Sequence, residues 1–123
     1  MVKIAVASSD GYNVDQHFGR AERFLIFRAD LDTGEVFDEA ERRETSFCKD
    51  GAHDTDLLAR TIEELSDCQY ILVSRIGPRA RMEVERHGIE VYEIPGDIAV
   101  SVEKLLQYIQ LQKFMDETFK GVK

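Results

Sequence analysis

Val2, Ile4 and Val6 alternate with Lys3 and small residues and run into Ser8-Ser9-Asp10-Gly11, which predicts a strand ending in a turn rich in Asp and Gly. Phe24 to Phe27 form a β-rich run. Asp30-Leu31-Asp32-Thr33-Gly34-Glu35 then supplies turn chemistry, and Val36 to Arg43 reads as a more exposed return strand, so the pair predicts a hairpin. After a polar, irregular stretch from Glu44 to Gly51, Leu57, Leu58, Ile62 and Leu65 recur at helical spacing. Asp54 or Thr55 is available to cap, which places a helix over about residues 54 to 66. Tyr70-Ile71-Leu72-Val73 is a short continuous apolar run, the pattern of a central, parallel strand buried on both faces.

Gly77-Pro78 opens a further helix with proline at its first position, with Ala80 and Val84 facing inward and Gly88 closing it. Ile89 to Ile94 is the next strand. Pro95-Gly96-Asp97 breaks it and caps a last helix, where Ile98, Val102, Leu105, Leu106 and Ile109 form one apolar stripe. Leu111, Phe114, Met115 and Phe119 continue as a stripe of their own, so residues 111–123 are expected as a C-terminal helical extension of a domain spanning 1–110. The order β, β-hairpin, α, β, α, β, α predicts a three-layer α/β domain whose mixed sheet has about five strands, one of them antiparallel. In such sheets a ligand lies beyond the carboxyl ends of the parallel strands, which singles out Ser8 to Gly11 with the loop beyond it, and Ser74 to Gly77.

Composition narrows the classes. At 123 residues, 43% of them hydrophobic, the chain fits one core, and two prolines and eight glycines exclude collagen-like and low-complexity classes. No apolar run approaches the roughly 18 residues of a membrane span, and a cytoplasmic location is expected. The two cysteines, Cys48 and Cys68, are too few for a disulfide framework. With 16 basic and 24 acidic residues the net charge is −8, which argues against nucleic-acid or anionic-membrane partners. The acidity is concentrated: residues 30 to 67 carry net −9. Residues 74 to 81, SRIGPRAR, hold three arginines and no acid, and Arg20, Arg23 and Arg28 cluster against Glu22 alone. A small anion could be held there. Arg75, Arg79 and Arg81 also bracket the helix start at Pro78, where free amides and the helix dipole favour negative charge.

Asn13 to Arg20 has neither helical nor strand periodicity. His17 sits there beside Phe18 and Gly19, where a glycine lets backbone approach a ligand, and the imidazole is either a metal ligand or a ring that caps the loop through hydrogen bonds. Cys48 and His53, five apart in one irregular segment, could converge on a metal, though two Cys and three His cannot readily build a closed zinc site. Cys68, just before the buried run, reads as a small core residue. No GxGxxG, GxxxxGK[ST], HExxH or GxSxG occurs, and Asp10 and Asp15 are the only acids near the expected crevice, too few for a Mg²⁺-dependent nuclease.

KIAVASSDG, VDQHFGRAERFLIF, LSDC before the buried strand, SRIGPRA after it and GIEVYEI together resemble the dinitrogenase iron-molybdenum cofactor biosynthesis family, the NifX domain also found at the C-terminus of NifB. The resemblance extends from Val2 to about Tyr108. It implies a ribonuclease-H-like fold and a role in binding or carrying iron-sulfur or iron-molybdenum cluster precursors. The HFG motif falls on His17, Phe18 and Gly19, and the cysteine of the acidic loop on Cys48. The radical-SAM domain and CxxxCxxC triplet of the fused NifB form are missing, and free-standing members also occur outside nitrogen fixation. The resulting expectation is a small cluster carrier and not an enzyme. His17, Cys48 and His53 are its candidate metal ligands, Arg20 and Arg75 stabilise the anionic cluster, and Ser9, Asp10, Phe18 and Gly19 line the site. Cluster donor and acceptor proteins are the expected partners, and a homo-oligomer is compatible with this reading. The other reading is a metal-free interaction module acting through the acidic segment and the C-terminal apolar stripe.

Overall fold

A computed structural model describes the backbone of residues 1–44 and 54–121, and the side chains of these except 38–41, 44, 54–56 and 118–121. The central sheet holds β1 (Val2–Ala7), β3 (Arg23–Ala29), β4 (Val36–Glu44), β5 (Tyr70–Val73) and β6 (Glu90–Glu93). Their order is β4-β3-β1-β5-β6. β1 pairs with β5, and β5 with β6, in parallel, while β3 is antiparallel to both of its neighbours and so runs alone against the rest. The mixed five-stranded sheet is therefore the one its apolar runs predict.

Alternation in β1 sends side chains to both faces, and both are covered. Ala5, Ala7, Ile71 and Val73 pack with Ile62 of α1 (Asp54–Glu64), Leu65 just past its end and Val84 of α2 (Pro78–Arg86). On the other face, Ile4, Val6 and Leu72 meet Ile98, Val102, Leu105, Leu106 and Ile109 of α3 (Ile98–Gly121). Truncating a fully buried side chain in either cluster, Ile71 for instance, costs about 2–5 kcal/mol. The fold thus rests on these two layers, and residues at the loop ends of the sheet can change without removing them.

Differences from the sequence expectation are local. α1 stops at Glu64, two residues early: the Leu65 amide is shared between the Thr61 and Ile62 carbonyls and the Ser66 amide donates to Glu63, three residues back, the tighter closing turn of a helix. Asn13–Val14, read as loop, is a two-residue strand, β2, paired antiparallel with β7 (Gly96–Asp97). Two residues are too few for a period to be visible, and Gly96 adopts φ 116°, which a turn pattern describes as well as a strand. This pair ties the loop after β1 to the start of α3, where the Ile98 amide donates to the Tyr12 carbonyl at 2.8 Å. Asp97 caps α3 as expected, its Oδ1 accepting the Val100 amide at 3.1 Å. α3 then runs unbroken past residue 110. Ile109 is still buried, whereas 111–117 are exposed, Leu111, Phe114 and Met115 among them. The side chain of Phe119 lies outside the described residues.

Candidate anion and metal-cluster cleft

β1 and β5 end side by side, and the loops that leave them build a cleft of about 830 Å³. Its walls are His17 to Arg20 on one side, Arg75 to Ala80 on a second, and Leu57, Leu58 and Thr61 of α1 on a third.

The loop after β1 is held by its own polar side chains. Asp10 Oδ1 accepts the amides of Tyr12 and Asn13, each at 2.8 Å, and Oδ2 accepts the Asn13 side-chain amide at 2.9 Å. These bonds, the Asn13 side chain first, hold the Asp10 carboxyl down at about 2. Asp15 accepts the Ser9 amide at 2.9 Å and the Ser9 hydroxyl as well. Ser9 and Asp10, expected as part of the binding site, thus shape the turn and do not line the cleft.

Farther along, the chain forms a parallel bridge between His17 and Arg75. The Ser74 amide donates to the Gln16 carbonyl at 3.0 Å, and the Phe18 amide to the Arg75 carbonyl at 2.9 Å. A short 3-10 turn, Phe18–Arg20, comes next and buries Phe18 against Phe24, with ring centroids 6.0 Å apart. Burial of Phe18 anchors the loop and leaves His17 exposed. The imidazole makes no capping hydrogen bond, so the loop stands without it. Gly19 needs no left-handed φ, and a Cβ built there meets nothing within 4 Å; Gly77 on the facing wall is the same. Neither the backbone nor packing demands glycine at these two places, which leaves access to the cleft as the feature they share.

The electrostatics are opposite to those of the whole chain. Arg20, Arg75 and Arg79 are exposed on the cleft wall and have no ion pair among the described residues. α2 begins on the same wall with Gly77 as its N-cap, no side-chain cap and no acid in its first turn. Pro78 has no N–H and the first intrahelical bond runs from the Arg81 amide to the Gly77 carbonyl at 2.9 Å, so the Arg79 and Ala80 amides lack intrahelical partners. Three guanidinium groups, two such amides and the positive end of a helix favour an anion here, and the exposed imidazole presents a nitrogen of the type that metals accept.

Of the nine site residues expected from sequence, His17, Phe18, Gly19, Arg20 and Arg75 come together here. Cys48 and His53 lie outside the described residues. Among the described residues no three His, Cys, Asp or Glu side chains gather as a metal site. Cys68 is buried, as its position before the apolar run predicts, and its thiol is pushed up to about 11, mainly by that burial. The sequence reading missed Glu93 and the α1 residues of the wall. A four-residue strand gives no sign of which loop its last side chain reaches, and the leucines of α1 have the spacing of ordinary core residues. Among the described residues no helix is long and apolar enough to cross a membrane.

A family model described as dinitrogenase iron-molybdenum cofactor matches residues 1–109. Over 110 residues the chain is 32% identical to the protein NifX of Klebsiella pneumoniae, an alignment that covers 89% of this chain and 66% of that one. It is 38% identical over 97 residues to the FeMo cofactor biosynthesis protein NifB of Frankia alni, covering 76% of this chain but 19% of NifB. The chain therefore spans just under two thirds of NifX and about one fifth of NifB. Among solved structures, the apo form of the orange protein from Desulfovibrio gigas shares the fold at TM-score 0.58 and 23% identity, covering 95% of this chain and 89% of that one.

Proposed function

The chain belongs to the dinitrogenase iron-molybdenum cofactor family, and from that premise we propose that it is an accessory protein of cofactor biosynthesis that holds an anionic metal-sulfur cluster in the cleft between His17 and Arg79. The observation that carries this reading is the concentration of positive charge, from Arg20, Arg75 and Arg79, unpaired among the described residues, around an exposed imidazole in a protein of net charge −8. Iron-sulfur and molybdenum-sulfur clusters are anions with open metal positions, and this wall offers both kinds of contact.

In this reading His17 Nδ1 or Nε2 binds metal, the arginines neutralise the cluster's charge, and Gly19 and Gly77 let sulfide approach the backbone. Cys48 and His53 belong to the proposal on the sequence alone, as a thiolate and a second imidazole. A site with few protein ligands and an open wall gives cargo up readily, which suits a carrier that takes a cluster from a donor protein and passes it to an acceptor, with no chemistry of its own. The ribonuclease-H-like label is part of the same proposal and is supported by the strand order, with β3 alone antiparallel. The likeness to NifX and to NifB, a FeMo cofactor biosynthesis protein, supports the pathway assignment more directly than the choice of cargo.

Anaerobic titration with tetrathiomolybdate, a molybdenum-sulfur dianion with visible absorbance, tests the reading. The expected result is saturable binding at one site, weakened by salt and by His17→Ala. No binding, or uptake that ignores both changes, overturns it.

A further inference from the structure

The Ser74–Gly77 turn carries Arg75 and leads into α2, and it is gripped from both sides. Toward β1, it is bonded to the Gln16–Phe18 segment through the two bonds of the His17–Arg75 bridge. Toward β6, the last main-chain bond runs from the Ile94 amide back to the Val73 carbonyl at 3.1 Å. Past that point a side chain takes over: Glu93 Oε2 accepts the Ile76 amide at 3.1 Å. Its other oxygen, Oε1, accepts from Arg81 Nη2 of α2 at 3.2 Å, and Arg81 Nη1 donates to the Val91 carbonyl at 3.0 Å. One carboxylate thus joins the end of β6 to the turn and to α2.

Glu93 is also the one acid among the described residues of the cleft wall. A negative charge opposes an anion held there, and both carboxylate oxygens are already engaged, by the Ile76 amide and by Arg81. Holding the turn accounts for its place there. If the Ile76 amide loses its acceptor, the turn keeps its bonds toward Gln16–Phe18 and the Gly77 carbonyl's bond from the Arg81 amide but loses its hold on β6, and Arg75 and His17 are less firmly placed.

We propose that Glu93 is a positioning residue of the cleft: its carboxylate fixes the Ser74–Gly77 turn and, through Arg75, the His17–Phe18 segment in the arrangement that receives the anion. This rests on the anion-cleft reading above. Charge and hydrogen bonding make opposite demands at Glu93, and two substitutions separate them. Glu93→Gln keeps an acceptor of the same reach and removes the charge, whereas Glu93→Ala removes both.

Amide hydrogen exchange needs no ligand and reads the turn directly. Exchange at Phe18 and Ile76 is expected to accelerate in Glu93→Ala and to stay near wild type in Glu93→Gln, with β1 amides unchanged in both. In tetrathiomolybdate titrations Glu93→Ala is expected to bind about 10–100-fold more weakly, the usual cost of removing a group that orients a binding residue. Glu93→Gln is expected to bind as tightly as wild type or more tightly. Should Glu93→Ala fail to fold, Glu93→Asp, with the charge on a shorter stem, takes its place and is expected to show the same weaker binding. Wild-type exchange at Phe18 and Ile76 in the short variant, or affinity equal to that of Glu93→Gln, overturns the proposal. Absence of binding by the wild-type protein overturns the cleft reading instead, while the exchange data still decide what Glu93 holds.

Discussion

His17 and Arg75 stand opposite each other in a parallel bridge beyond the ends of β1 and β5, joined by the Phe18 amide donating to the Arg75 carbonyl at 2.9 Å. The bond is between backbones, so both side chains remain available to the cleft. Two segments nearly sixty residues apart in sequence are thereby locked in register, one supplying an imidazole and the other a guanidinium.

That separation of backbone from side chain makes His17 removable. His17→Ala is expected to change stability by less than about 1 kcal/mol, since the ring is exposed and caps nothing. Tetrathiomolybdate, whose molybdenum already carries four sulfides, is expected to bind more weakly through loss of the ring N–H as a donor to sulfide. Thermal melts and titrations of the two proteins check this. A lowered melting temperature with unchanged affinity would give the ring a structural role.

Gly19→Ala tests access to the cleft. The added methyl meets no protein atom within 4 Å and the backbone is not left-handed, so stability is expected to hold or rise by up to about 1 kcal/mol through the less flexible unfolded chain. Binding of the anion is expected to weaken, because the methyl occupies space at the wall. Unchanged affinity would remove Gly19 from the site.

Arg75→Gln and Arg79→Gln, singly and together, are expected to leave the melting temperature within the spread of surface substitutions, about ±0.5 kcal/mol, and to weaken anion binding. The loss should shrink as salt rises from about 0.01 M to 1 M, over which the screening length falls from about 30 Å to 3 Å. Titrations across that range decide it. A loss independent of salt would show that the guanidinium groups act by shape and not by charge.

Acid should loosen the protein through two carboxylates. Asp67 is held well below the usual carboxylate range, first by its hydrogen bonds from Arg43 and then by Lys3, whose Nζ lies 2.9 Å away; Asp10 is held down at about 2. Both are depressed, so their contribution to stability is fully present above about pH 4, the unfolded value, and is lost as pH falls toward the folded values. Asp67→Asn is expected to flatten the acid limb of the stability curve, measured by urea unfolding at stepped pH. An unchanged limb would show that the Arg43–Asp67–Lys3 group contributes nothing.

Cys68 should be silent toward thiol reagents. It is 3% exposed and its thiol sits at about 11, so almost no thiolate forms near neutral pH. Mass spectrometry after iodoacetamide treatment is expected to find Cys68 modified only in urea. Modification in the native protein would mean that the α1–β5 corner opens readily.

The alternating run Val2–Ala7, the four apolar residues Tyr70–Val73 and the stripe Ile98 to Ile109 were each readable because burial imposes a period on the chain, and the period names the element and its inward face. The proline at the start of α2 and Gly88, at φ 81° past its end, were readable because backbone geometry restricts which residues fit. That His17, Phe18, Gly19, Arg20 and Arg75 share one cleft was legible because they lie just past strand ends, where an α/β sheet opens. Tertiary structure alone decided the rest. Ser9 and Asp10 look like site residues in sequence, yet the Ser9 amide and hydroxyl bond to Asp15 and the Asp10 carboxylate to Tyr12 and Asn13. Glu93 has no local signal at all: it faces an amide seventeen residues away on a neighbouring segment, a pairing created only when β5 and β6 lie side by side. Periodicity records which side of an element is buried. It holds no record of which loops meet, because that is set by the order in which strands join the sheet.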